Sequence, residues 1–319
     1  MRLRTRFGLL SAFLAIAVLS ATAVPRATGG NEGVIVGVVD TGNGDGFQLY
    51  AINPEHPNPP VQLTHLAFNP NFFFYSPHFS RDGKRIVFLY QSPSEPGPNV
   101  YIMNSDGSHL RKVTTDNSAV SASFSADGNR LLVASAHTKT LLPAIISIVA
   151  DGDGSQRVLT NDLFSYVDPS TTPNGRKIVY GTQDGGVVSI TASMNADGSD
   201  KRRLSEAEDQ LCPANVSPDG LKVLLNSFCN VDVKNQNIWV MNVDGTGVRQ
   251  LTNPGPSITD LAGAYSPDGT KIVFSSTRAG NPNGFDCWVM NADGTGAKLL
   301  VRTCGLPAWG PKVVAQSGV

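Results

Sequence analysis

Between residues 76 and 301 the apolar positions come in short runs closed off by turn-forming residues. Ile86-Val87-Phe88, Leu131-Leu132-Val133, Ile178-Val179-Tyr180 and Ile272-Val273-Phe274 each follow a glycine, a polar residue and a basic residue. Short, β-branched runs bounded by turns are strand signals. They belong to a recurring sub-motif: Ser80-Arg81-Asp82-Gly83, Ser125-Ala126-Asp127-Gly128, Thr172-Pro173-Asn174-Gly175, Ser217-Pro218-Asp219-Gly220 and Ser266-Pro267-Asp268-Gly269. A second sub-motif alternates with it. It ends in Met103-Asn104-Ser105-Asp106-Gly107, Met194-Asn195-Ala196-Asp197-Gly198, Met241-Asn242-Val243-Asp244-Gly245 and Met290-Asn291-Ala292-Asp293-Gly294, with a weaker copy at Ala150-Asp151-Gly152. A polar stretch ending near Leu-Thr follows. Asp-Gly between apolar runs is a hairpin signal, because Gly accepts positive φ and Asp bonds the nearby backbone.

Each unit therefore supplies two hairpins, or four strands. The glycines at 83, 128, 175, 220 and 269 are 45, 47, 45 and 49 residues apart. One four-stranded sheet cannot bury both faces, whereas sheets stacked radially can, and the spacing matches a propeller blade. Five full units cover about 76–115, 121–160, 166–205, 212–252 and 261–301. Residues 33–64 lack the first sub-motif. Residues 305–314 supply a matching inner strand, with Trp309 where Phe79, Phe124 and Tyr265 sit. The expectation is an all-β, six-bladed β-propeller of four-stranded antiparallel blades, one closed by N- and C-terminal segments. It forms a single domain over 24–319.

Composition agrees. Charged residues make up only 16% of the 319, with 32 Gly and 21 Pro, which suits turns and strands better than helices. Arg2, Arg4 and Arg6 precede the apolar stretch Leu9–Val18, and Ala21-Thr22-Ala23 offers small residues for cleavage. This is a signal-peptide pattern over 1–23, cut near Ala23, implying a periplasmic or secreted protein with no membrane span afterwards. Without those three arginines, 22 basic residues face 26 acidic ones, a net of −4. There is no basic surplus for nucleic acid, and Lys201-Arg202-Arg203 reads as a solvated strand edge.

The alternation of Ser-Pro-Asp-Gly-x-Lys-Ile-Val-Phe with Trp-Val-Met-Asn-x-Asp-Gly and Leu-Thr resembles the WD-like repeat of the TolB propeller family over nearly the whole mature chain. The resemblance implies a docking platform of the bacterial envelope. Tol-system members add an N-terminal α/β domain to which no segment of this chain corresponds, so the resemblance is to the propeller alone.

Four cysteines in an exported chain suggest disulfides. Cys212 and Cys229 flank the Pro218-Asp219-Gly220 hairpin, and Cys287 and Cys304 flank the Asn291–Gly296 turn. These favour 212–229 and 287–304, with a cross-blade pairing left open. A zinc site is the rival, but no Cys-x-x-Cys spacing exists.

No Gly-x-Ser-x-Gly elbow, His-Glu-x-x-His helix or phosphate loop occurs. Gly42–Gly46 reads as a long turn and Asp151–Gly154 as an irregular one lacking the later acidic ligand of a calcium loop. Of the histidines, His78 lies on an inner strand facing the channel. His65 and His137 fall near one end, His56 belongs to no motif, and His109 is a solvated turn residue. Asp168 is an acidic candidate on another inner strand, beside Ser121, Ser123, Ser170 and Asn215. Phe72-Phe73-Phe74-Tyr75 is either packing or a rim ridge.

The first functional reading is a monomeric, non-catalytic platform for a protein or surface glycan, without a cofactor. The second is a metal-assisted carbohydrate lyase or hydrolase, with His78 and Asp168 converging at the channel; some related propellers are polysaccharide lyases. A propeller akin to the non-catalytic gate of prolyl peptidases is a third.

Overall fold

The computed structural model describes residues 32–312, apart from 41, 43, 45, 70–75, 137–142, 153, 161–165, 185–187, 207–209, 228–235 and 282–283. The signal-peptide pattern, Phe72–Tyr75, His137 and Cys229 lie outside the described residues.

Six four-stranded antiparallel sheets are arranged as blades. From its inner to its outer strand, blade I joins both ends of the chain: β24 (Cys304–Gly310), β1 (Val34–Val39), β2 (Gln48–Ile52) and β3 (Val61–Gln62). In the same inner-to-outer order, blade II holds β4 (His78–Phe79), β5 (Arg85–Tyr90), β6 (Asn99–Asn104) and β7 (Arg111–Lys112). Blade III holds β8 (Ala119–Phe124), β9 (Arg130–Ser135), β10 (Ala144–Val149) and β11 (Gln156–Val158). Blade IV holds β12 (Tyr166–Thr171), β13 (Lys177–Asp184), β14 (Val188–Asn195) and β15 (Arg202–Arg203). Blade V holds β16 (Leu211–Val216), β17 (Lys222–Ser227), β18 (Ile238–Asn242) and β19 (Arg249–Gln250). Blade VI holds β20 (Asp260–Tyr265), β21 (Lys271–Ser276), β22 (Asp286–Asn291) and β23 (Lys298–Val301).

The expected ring closure is present. Trp309 of β24 lies opposite Ile35, as Phe79 lies opposite Ile86, Phe124 opposite Leu131 and Tyr265 opposite Ile272. Of the Lys201–Arg203 cluster, Arg202 and Arg203 form β15, the exposed outer edge of blade IV, and Lys201 stands exposed just before it.

Both sub-motifs form because their bonds are local. Ser80 Oγ accepts from Arg85 N at 2.9 Å and donates to Asp82, which accepts from Lys84 N at 3.1 Å. Gly83 takes φ +71. The looser copy works the same way, with Asn174 accepting from Thr172 Oγ1 and from Arg176 N. The Leu-Thr segments have two jobs. The hydroxyl accepts a buried strand N–H, as Thr252 does from Ile238 at 3.0 Å and Thr64 from Leu49 at 2.9 Å. The leucine seats the next blade's Asp-Gly turn, so closely that a Cβ on Gly107 would lie 2.7 Å from Leu63 O.

The core lies between blades. Phe88 of blade II packs with Val36 and Leu49 of blade I, and Phe274 of blade VI packs with Leu224 and Ile238 of blade V. Each such fully buried side chain contributes about 1.5–3 kcal/mol.

Cys287 and Cys304 are bonded, their Cα atoms 5.1 Å apart. The favoured pair is present, but not as a staple across one hairpin. Cys287 sits on β22 of blade VI and Cys304 on β24 of blade I, because the chain crosses to the next blade after β23. The bridge fastens the ring-closing strand. Cys212 is also disulfide-bonded.

Candidate functional site

The inner strands surround a central channel. At the end carrying the Ser-x-Asp-Gly turns, the channel opens into a funnel of about 280 Å³ to which all six blades contribute. Its rim consists of Arg81, Ala126, Pro173, Pro218, Pro267 and Pro311, and the next ring down contains Phe79, Phe124, Thr171, Val216, Tyr265 and Trp309. Arg81 is the one cation in the rim and is exposed. Burial, with Asp219 nearby, pushes the Tyr265 phenol up to about 12, so it is neutral. Trp309 Nε1 donates to Glu32 O at 2.8 Å, which pins the indole.

Below the funnel lies a narrower compartment of about 120 Å³. His78, Ala264 and Ala308 line both spaces, so they adjoin. The inner strands do not run straight past it. The pairing of β12 with β13 skips between Val167 and Ser170, that of β24 with β1 between Gly305 and Ala308, and that of β20 with β21 between Ala262 and Ala264. Bulges of this kind re-aim side chains. Asp168 and Leu306 occupy two of the bulges with φ +47 and +48, and Ser76 has φ +37 at the matching place in blade II. All three precede proline and all three line the inner compartment.

Bonds between blades hold this wall in place. Asp168 N donates to Ser121 Oγ at 2.7 Å, and Thr171 Oγ1 to Phe124 O at 3.2 Å. Ala262 N donates to Asn226 Oδ1 at 2.7 Å, and Leu306 N to Ser275 Oγ at 2.8 Å.

The structure thus brings His78 and Asp168, singled out on separate inner strands, to one cavity. Both are reachable through the channel yet surrounded by protein. Burial pushes the His78 imidazole down to about 4 and the Asp168 carboxyl up to about 6. Of the other histidines, His56, His65 and His109 are exposed; His65 bonds Gln62 and His109 bonds Asn104. Asn226 was not singled out from the sequence, because it lies on a second strand and no motif marks it. Asp151 anchors Arg85 and Arg111 at the outer surface. Among the described residues, no three His, Cys, Asp or Glu side chains gather as a metal would need. Nor is any helix among them long and apolar enough to cross a membrane.

A family model described as TolB beta propeller domain matches residues 36–214. No curated protein matches the chain. Among solved structures, TolB from Acinetobacter baumannii is similar with TM-score 0.70 and 20% identity, over 89% of this chain and 68% of that one. A putative TolB from Agrobacterium tumefaciens gives 0.58 and 20%, over 88% and 90%. Oligogalacturonate lyase in complex with manganese gives 0.51 and 14%, over 84% and 72%. At these identities the likenesses are of fold alone.

Proposed function

The chain belongs to the TolB β-propeller family, and from that premise we propose that it is an exported, monomeric binding platform that docks a protein partner at the funnel mouth. Its working place is the cell envelope or the extracellular space. The observation that carries this reading is the funnel itself: one concave surface, shared by six blades, five of whose six rim residues sit on turns fixed by the same local bonds. Such a mouth loses little freedom on binding, and preorganisation of this kind favours affinity. Exposed Arg81 among prolines and the aromatic pair Tyr265 and Trp309 are residue types that anchor partners. The bonded Cys287, Cys304 and Cys212 support an oxidising compartment, in keeping with the N-terminal export pattern. Metal-assisted carbohydrate chemistry would need further ligands around His78 and Asp168.

The test is site-specific photo-crosslinking in the source cell. A crosslinker at Ala126 on the rim gives a discrete adduct, lost when Arg81 and Tyr265 are replaced by Ala. One at Val158 on an outer edge strand gives none. Adducts from Val158 alone would refute the funnel reading, and a carbohydrate adduct at Ala126 would replace the protein partner with a surface glycan.

A further inference from the structure

Asp168 is the one acidic side chain on the wall of the inner compartment. Its backbone N–H is bonded to Ser121, but its carboxylate meets no hydrogen-bond donor or cation among the described residues. Burial alone accounts for its raised pKa. His78, the other titratable group on that wall, also has no bonded partner there, and burial alone depresses it. A buried carboxylate without a counter-charge is costly, and the cost is met by a cation or by protonation. The rest of the wall is mainly small and apolar, including Leu261, Ala264, Leu306 and Pro307. The space of about 120 Å³ holds several water-sized groups.

We propose that this compartment is a binding site for an alkylammonium group, with the cation on the Asp168 carboxylate, the neutral His78 imidazole as a second acceptor, and the alkyl stem along the apolar wall. A slim apolar stem with a charged head matches that division of the wall. The funnel adjoins the compartment at His78, so a lysine side chain of a docked partner can reach it, as can a free amine. The inference rests on the platform reading only for the lysine source; the site itself stands on the channel geometry.

The probe is n-butylammonium, followed by calorimetry on the intact mature protein. We expect saturable binding at pH 8, weakened about tenfold at pH 5. With a carboxyl titrating at about 6, only about a tenth of Asp168 is ionised at pH 5, while His78 remains neutral. Asp168→Asn abolishes binding. Should that variant misfold, carboxyl-carbon NMR of the unaltered protein serves instead, and butylammonium lowers the Asp168 pKa. Binding unchanged by Asp168→Asn, a carboxyl pKa unmoved by saturating amine, or calcium binding in place of butylammonium would each overturn the proposal. Comparing 1,5-diaminopentane with a lysine-containing pentapeptide separates the free-amine source from the protein source. If butylammonium fails while rim crosslinking succeeds, the site inference falls and the platform stands; the converse result removes the platform and keeps the site.

Discussion

Deleting the Cys287–Cys304 bridge probes how the ring is kept shut. The two cysteines are 17 residues apart. In the chain-entropy model a loop of that length is worth about 3 kcal/mol. For a domain of this size that corresponds to a melting point lower by roughly 5 °C. The location raises the stakes, because β24 is otherwise held without a covalent link, by its pairing with β1, its packing, and the bonds of Leu306 to Ser275 and Trp309 to Glu32. The variant is the double Cys287→Ala/Cys304→Ala, since a single change leaves a buried thiol. The sulfurs pack closely against Gly37, where a Cβ would lie 2.6 Å from Cys304 Sγ, so their removal adds a cavity cost to the loss of the crosslink. Scanning calorimetry gives the melting point, and limited proteolysis reports whether β24 detaches first. In the unaltered protein both sulfurs are buried, so dithiothreitol acts only as the ring opens. A double variant melting within about 1 °C of the parent would refute the reasoning and assign closure to strand pairing alone.

The channel pair pulls stability in opposite directions with pH. The folded pKa of Asp168 is raised, so its contribution is full below about pH 4 and is lost as pH rises through about 6. Asp168→Asn therefore gains at most about 3 kcal/mol over the parent at pH 8, less as channel water screens the charge, and nothing at pH 4. The folded pKa of His78 is depressed, so its contribution is full above pH 6.5 and is lost as pH falls toward 4; His78→Gln gains only on the acid side. Urea unfolding from pH 4 to 8 checks both, and parallel curves for parent and variants would refute them. Gly263→Ala costs about 1–3 kcal/mol, because its Cβ would lie 2.8 Å from Val273 O and nearer still to Pro307 O, both backbone atoms. Gly305→Ala, with its nearest neighbour 3.8 Å away at Phe285 Cβ, is the tolerated control in thermal melts.

What could be read from the sequence tracks how local each interaction is. The Ser80–Arg85 turn closes within six residues, so its repetition announces five of the six blades, and the sixth is read from what remains at the two chain ends. The disulfide partners could be picked by spacing. Their inter-blade placement could not, because it depends on the chain leaving blade VI after β23 and returning to β1. His78 and Asp168 were recognisable as inner-strand residues once the period was known. That they share a cavity depends on a register skip at Asp168-Pro169, which no local pattern encodes. One signal was available: Ser76-Pro77, Asp168-Pro169 and Leu306-Pro307 each stand three residues before Phe79, Thr171 and Trp309. Asn226 had no such marker.

The bulges and the unpartnered carboxylate bear on one question. Non-glycine residues at positive φ cost of order 1–3 kcal/mol each, and Ser76, Asp168 and Leu306 place three such residues around one compartment. Their hydrogen-bonded neighbours, Ser121 for Asp168 and Ser275 for Leu306, hold two of them in place. The propeller therefore gives up stability at the wall of its channel, and ionised Asp168 adds to that cost at neutral pH. A ligand that binds the folded state alone restores stability as RT ln(1 + [L]/Kd). At a butylammonium concentration 100 times its dissociation constant the gain is about 2.7 kcal/mol, close to the cost assigned to the ionised carboxylate. The amine must then raise the melting temperature at pH 8, have far less effect at pH 4, and have none on Asp168→Asn. Equal stabilisation of parent and variant would show that the strained wall serves some purpose other than holding a cation.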